Sequence, residues 1–180
     1  LHDVGKPVTA RSAPDRLRFD GHAERGAEMA KDILRRLRFA NDSIEAVTQC
    51  VLNHMRMLSV RQMKQSTLRR LVGAPTFPLD LELHRLDCLA SHGNLVNHEF
   101  LLEFSRHVAA EPVLPPPWVK GGDIMALGIP EGREVGTWRH RAYDAQLEGR
   151  FETRDDLLRW LADEIKKAGP TGGPQAGVQA

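Results

Sequence analysis

Apolar positions recur at helical spacing along most of this chain, and no stretch alternates with the period of a strand. Between residues 22 and 38, Met29, Ile33, Leu34 and Leu37 fall on one stripe, with Arg35, Arg36 and Arg38 off it. This pattern predicts an amphipathic helix with that stripe turned inward. A second helix is predicted from Asn41-Asp42, where Asp42 and Glu45 form a capping-box pattern. Ile44, Val47, Val51 and His54 continue one face of it. A third helix runs to about Val72 and is stopped by Gly73 and Pro75. A fourth spans about 79–91 with Leu79, Leu83, Leu86 and Ala90 inward. A fifth covers about 95–109 through Leu101, Phe104 and Val108.

The pattern then changes. Pro112 and the run Pro115-Pro116-Pro117 make a stiff, extended connector. Beyond it, Asp123 is placed to cap a helix running through Leu127, with Gly121-Gly122 read as a turn before it. Gly128, Pro130 and Gly132 turn the chain, and a helix follows to about Leu147. Thr153 with Asp156 is another capping pattern, opening a helix through about Lys167. From Gly169 onward the chain is rich in Gly, Pro and Gln, the composition of a disordered tail. The reading is an all-α chain: a helical domain over 1–111, a helical segment over 112–168, and a tail over 169–180.

Composition adds little until it is mapped onto this frame. The 180 residues, 41% hydrophobic, suit one domain with a small appendage. The net charge of +1 points to no partner, but its distribution does. Residues 1–73 hold 14 Lys/Arg against 8 Asp/Glu, whereas residues 74–111 hold 2 against 6 and residues 112–180 hold 9 against 10. The N-terminal part can therefore face a phosphate backbone, although a solvated helix face has the same composition. Cys50 and Cys88 lie inside apolar helical patterns and read as buried free thiols of a reducing cytoplasm. No apolar run reaches the roughly 18 residues of a membrane span, and no signal peptide is present.

The chemistry-bearing residues begin at the second position. His2-Asp3 pairs an imidazole with a carboxylate, both good ligands for first-row divalent metals. Adjacent residues on a regular helix point about 100° apart, so sharing one ion requires a bend, which Gly5 and Pro7 supply. His22 opens a helix after Gly21. His54 shares the inner face of Cys50 and Val51. Asp87 follows Leu83 by four and precedes Ala90 by three, so a carboxylate projects from an apolar stripe. A buried carboxylate needs compensation, from a metal or from an ion-pair partner. Each residue alone has an ordinary structural explanation; together with His2-Asp3 they make a metal site the better joint one.

The stretches LHDVGKPVT, FDGHAERGAEMA, LRFANDSIEAV, NHMRM and HRLDCLASHG resemble the HD metal-dependent phosphohydrolase superfamily. In detail they look like the HD domain of bacterial tRNA nucleotidyltransferases (CCA-adding enzymes) and their poly(A) polymerase relatives. The resemblance continues through LPPPWVKGGDIMALGIPEGREVG and AQLEGRFETRDDLLRWL, similar to the C-terminal helical segment of those enzymes. It implies His2 and Asp3 as the metal-binding doublet and Asp87 as the terminal ligand. It further implies that His22 and His54 bind a second metal or contact phosphate. The superfamily's first histidine lies upstream of the doublet, and the chain opens on the motif, as a piece of a longer protein would.

The implied activity is hydrolysis of phosphate esters or cyclic phosphates at RNA ends, with a divalent ion (Ni, Mn, Mg, Fe or Zn). Asp3 ligates the ion and orients water, and Lys6 binds a phosphate oxygen. Arg11, Arg16, Arg18 and Arg25 are candidates for the rim of a phosphate channel. In the appended segment Lys120, Arg139 and other cations alternate with Trp118, Trp138 and Tyr143, a pattern that suits RNA backbone contact and base stacking. The Trp residues suit anchoring the appendage equally well. Nucleotidyl transfer itself needs paired carboxylates on a strand beside a Gly-rich loop, and these residues are not in the sequence. Two alternatives stand beside the hydrolase: a non-catalytic module that grips tRNA around a vestigial metal site, and a free-standing HD hydrolase of nucleotides.

Overall fold

A computed structural model gives the fold and describes residues 1–109 and 112–169; beyond Gly169 the expected tail lies outside the described residues. The chain is all-α apart from one two-residue hairpin. In order come α1 (Lys6–Thr9), β1 (Arg11–Ser12), β2 (Leu17–Arg18), α2 (His22–Arg36) and α3 (Asn41–Asn53). A 3-10 segment (His54–Gln62) follows, then α4 (Gln65–Val72), α5 (Phe77–Ser91), α6 (Val96–Val108), α7 (Gly121–Ala126), α8 (Arg133–Leu147) and α9 (Arg154–Ala168). The antiparallel strands pair Arg11 with Arg18 and Ser12 with Leu17. Strands this short carry no alternation for the sequence to display.

The chain divides into two units, Leu1–Met63 with Leu71–Ala110, and Lys64–Arg70 with Glu111–Ala180. In the first, α2 packs on α3 through small side chains. His22, Ala23, Gly26, Ala27, Ala30 and Leu34 are its buried residues, and Ala27 and Ala30 meet Val51. The expected stripe is thus rotated: Leu37 is exposed, beyond the end of α2, and Met29 and Ile33 are only half-buried. The reason is steric. A Cβ added to Gly26 would already be in van der Waals contact, 3.4 Å from the Val51 side chain and from the Gly5 nitrogen, which leaves no room for a longer side chain. Only a small-residue face permits that approach. Arg38, in the left-handed region at φ 59°, ends the helix, with the Phe39 amide donating to the Leu34 carbonyl.

Two further expectations of the first unit are corrected. Ala40 occupies the N-cap of α3 and makes no side-chain cap, so Asp42 lies inside the first turn and no capping box with Glu45 forms. In α5 the inner face carries Phe77, Asp80, Leu81, His84 and Cys88. Leu79, Leu86 and Ala90 are exposed and Leu83 is half-buried, so the stripe read from the sequence was the outer one. Both cysteines are free and buried.

The second unit has its own core. Trp138, Ile124, Leu157 and Leu161 are almost wholly buried with Val119, Ala142 and Ala145. Each fully buried side chain of this size contributes roughly 1.5–3 kcal/mol. Trp138 therefore has no face free for a base, and Trp118 packs against the same cluster. Tyr143 donates through its hydroxyl to the Pro115 carbonyl at 2.9 Å, pinning the proline run to α8. Gly121 and Gly122 begin α7, and Lys120 is its N-cap. Asp123 stands at the third helical position, where its carboxylate accepts from the Lys120 amide at 2.7 Å, so the glycines are the first turn rather than a turn before it. The Thr153 cap forms as read: its hydroxyl oxygen accepts from the Asp156 amide at 3.2 Å.

Candidate metal centre

Four separate segments of the first unit bring His2, Asp3, His22, His54 and Asp87 together. His2 and Asp3 occupy a turn, closed by Val4 N–H to Leu1 carbonyl and Lys6 N–H to Asp3 carbonyl bonds of 3.0 Å each. Pro7 stands in the first turn of α1, where its missing N–H costs no hydrogen bond. His22 is the first residue of α2, behind Gly21 at φ 77°, a left-handed position that suits glycine. His54 opens the 3-10 segment where α3 ends. Asp87 projects from α5 at a half-exposed position.

Two triads share Asp3: Asp3 with His22 and His54, and His2 with Asp3 and Asp87. In each, one ligand-type atom per residue lies within 4.8 Å of the others. Nε2 of His22 stands 3.6 Å from Oδ1 of Asp3, and Nε2 of His54 stands 3.8 Å from it. Nε2 of His2 is 3.4 Å from Oδ2 of Asp3 and 3.4 Å from Oδ1 of Asp87.

The hydrogen bonds around the two inner histidines fix which nitrogen faces the cluster. Nδ1 of His22 lies 2.8 Å from the Phe19 carbonyl and Nδ1 of His54 lies 2.6 Å from the Val51 carbonyl. A carbonyl only accepts, so each Nδ1 carries the proton. With both rings neutral, two bare Nε2 lone pairs then face each other at 3.2 Å, with the Asp3 oxygen beside them. Three acceptors with no proton among them repel one another, and a cation placed there removes the conflict. The residues present thus fit a divalent ion. Burial holds His54 below the usual imidazole range, ahead of the opposing Val51 carbonyl, which keeps the ring in its ligating form.

Asp3 has two differently employed oxygens. Oδ1 faces the histidines, while Oδ2 accepts from the Lys6 ammonium at 2.6 Å. Burial works against its ionisation, but the Lys6 hydrogen bond and the nearby His2 outweigh it, and its pKa lies below the usual carboxylate range. Asp3 is therefore an anion across the neutral range, as a ligand must be.

The other sequence candidates are dispersed. Lys6 adjoins the cluster through Asp3 and stands 5.8 Å over the Phe19 ring. Arg11 pairs with Asp20 at 3.1 Å, Arg18 with Asp15 at 3.2 Å and Arg25 with Glu28 at 2.6 Å, all exposed. Lys120 and Arg139 are exposed on the second unit. Sequence reasoning did not single out Phe19, Met55 and Arg56, which line a cavity beside Lys6 and His22. Arg56 follows His54 by two, but the 3-10 segment breaks the 3.6-residue period that would have signalled its direction. Among the described residues no helix is long and apolar enough to cross a membrane.

Residues 1–91 match the HD domain family. The chain is 36% identical over 182 residues to the CC-adding tRNA nucleotidyltransferase of Thermus thermophilus, covering 95% of this chain and 41% of that protein. It is 32% identical over 179 residues to the A-adding tRNA nucleotidyltransferase of Deinococcus radiodurans, covering 91% of this chain and 41% of that protein. The chain thus spans about two fifths of the length of these relatives. No solved structure matches it.

Proposed function

Because this chain belongs to the HD domain family, we propose that residues 1–111 are a metal-dependent phosphohydrolase module within a protein of the tRNA nucleotidyltransferase type. Residues 112–168 are the accompanying RNA-contacting segment. The substrate is a phosphate ester or cyclic phosphate at an RNA end. The observation that carries this reading is the pair of carbonyl-locked histidines whose Nε2 atoms face each other and Asp3. His22, His54 and Asp3 hold the ion, and His2 and Asp87 complete or double the site. When bound, a divalent ion supplies positive charge against the phosphoryl oxygens and makes water more acidic. The chain's own groups do the rest. Asp3, already ionised, orients water through its carboxylate, and Lys6 keeps that carboxylate in register. Lys6 also places an ammonium where a phosphate oxygen can meet it.

The test is hydrolysis of adenosine 2′,3′-cyclic phosphate and of 3′-phosphates with Mn²⁺, Ni²⁺ or Mg²⁺, beside Asp3→Ala and Lys6→Ala. Turnover that needs an added metal and is lost in Asp3→Ala supports the reading. Turnover indifferent to Asp3→Ala, or none with any of the ions, ends it.

A second reading, tRNA gripping without hydrolysis, draws on one observation. The similarity to tRNA nucleotidyltransferases covers at least 91% of the chain, well past the 91 residues of the HD match. Lys120 and Arg139 are then backbone contacts, and tRNA affinity should fall steeply with salt. A flat salt dependence would exclude it.

A further inference from the structure

A cavity of about 660 Å³ opens beside the metal centre and shares Lys6 and His22 with its edge. The hairpin, the turn from Phe19 to Glu24, and Leu52, Met55 and Arg56 form its walls. Its chemistry is of two kinds. Lys6, Arg16, Arg18 and Arg56 give it positive charge, and Asp20 and Glu24 oppose it in part. Lys6 is spent on Asp3, and Arg16 and Arg18 both lean on Asp15. Asp20 is engaged by Arg11. Neither Arg56 nor Glu24 makes an ion pair among the described residues, so Arg56 is the unpaired cation of the cavity and Glu24 its unpaired carboxylate.

The apolar kind is harder to explain by folding alone. Leu17 is 53% exposed, Met55 45% and Leu52 38%, all three on the wall of one cavity together with the half-buried Phe19 ring. Scattered exposed apolar side chains need no explanation, but several converging on a concave surface beside polar chemistry mark a ligand site. A bare phosphate has no use for this wall. A ligand that carries a flat apolar ring beside an anion uses both kinds of residue. Lys6 connects them, at 2.6 Å from Asp3 and 5.8 Å from the Phe19 centroid.

Resting on the phosphohydrolase reading above, we propose that this cavity is a nucleobase subsite. The base of a nucleoside phosphate lies against Phe19, Leu17 and Met55 while its phosphate reaches the His-Asp cluster. Arg56 binds a further phosphate of the ligand. The specificity of the site for nucleotides over other phosphate esters resides in this wall, and none of these residues is a metal ligand.

The test is calorimetric binding of adenosine 3′-monophosphate and of glycerol 2-phosphate to the full chain with Mn²⁺ present, at a temperature low enough that no phosphate is released during the titration. The nucleotide is expected to bind about tenfold more tightly, the effect of one stacked base. Met55→Ser and Leu17→Ser, both at exposed positions, should erase most of that advantage and leave glycerol 2-phosphate binding unchanged. Equal affinity for the two ligands in the parent protein, or a preference that survives both variants, overturns the proposal. Arg56→Ala tests the further phosphate: it should weaken a dinucleotide 3′-phosphate, which carries one, and leave adenosine 3′-monophosphate, which carries none, unchanged; an equal effect on both ligands, or on neither, overturns the role given to Arg56. Base preference in binding without metal-dependent hydrolysis would sink the hydrolase reading alone. Hydrolysis of nucleotides and glycerol 2-phosphate with equal kcat/KM would sink the subsite alone.

Discussion

Replacing Gly5 by alanine should damage the fold and the metal centre together. Gly5 has an ordinary φ of −78°, so its need for glycine is steric rather than conformational. A Cβ added there would stand 2.3 Å from the His22 carbonyl oxygen and 2.7 Å from the Gly26 nitrogen. Ordinary C···O contacts lie at about 3.3–3.6 Å, so the turn and α2 must separate by about 1 Å. Both clashing atoms are backbone, and no side chain can rotate away. Overpacking of this kind costs about 1–3 kcal/mol, and backbone partners place Gly5→Ala at the upper end. For a unit of this size that lowers the melting temperature by about ten degrees or more. The same movement separates His2 and Asp3 from His22, so metal affinity should fall at least about tenfold, as it does when the groups holding a ligand are disturbed. Urea unfolding followed by circular dichroism, with and without EDTA, measures the first effect, and metal titration measures the second. If Gly5→Ala keeps parental stability within about 0.5 kcal/mol and parental metal affinity, the account of how the turn docks on α2 is wrong.

The remaining predictions are smaller. Gly136, inside α8 with nothing within 4 Å of an added Cβ, should accept alanine with a gain of about 0.4–1 kcal/mol, seen as a rise in melting temperature. Mn²⁺ at a hundred times its Kd should stabilise the protein by about 2.7 kcal/mol, and His54→Ala should abolish that increment; melting curves that ignore the metal in the parent protein would refute the centre. The Cys50 thiol is pushed up to about 12 by burial, with the Asp80 carboxylate adding to it. The folded chain therefore holds the Cys50 proton after the unfolded chain, near 9.0, has lost it, so stability falls as pH rises from 9 toward 12. Cys50→Ala should flatten that part of the pH–stability curve, and iodoacetamide should label Cys50 at pH 8 only in denaturant.

The sequence exposed the helices and the metal-ligand candidates better than it exposed which face of each helix is inside. Each histidine and aspartate candidate has an ordinary explanation alone and stands out only in company, and the five fall into two triads that share Asp3. The burial phase of α2 stayed hidden because its inner face is Ala and Gly, which contribute little to an apolar stripe, while Leu37 lies in water. The phase of α5 misled more directly. Its inner face holds Asp80 and His84, and its outer face holds Leu79, Leu86 and Leu89. Asp87 was chosen as a carboxylate on an inward apolar stripe; the deeply buried carboxylate of that helix is Asp80, and Asp87 reaches His2 from the half-exposed side. The placement of Asp87 near the doublet thus has a different cause from the one periodicity suggested. Arg56 and Met55 stayed illegible because a 3-10 segment repeats every three residues, not every 3.6.

The shared position of Asp3 has a consequence for how the molecule holds together. Residues 2, 3, 22, 54 and 87 close three successive loops, each enclosing one or two complete helices. An ion seated among them acts as a non-covalent staple across nearly the whole first unit. Closing such loops costs conformational entropy that rises only slowly with length, so one ion secures long spans almost as cheaply as short ones. A protease cut in the short connection between α2 and α3 would then leave two pieces that stay associated while the metal is bound and part when a chelator removes it.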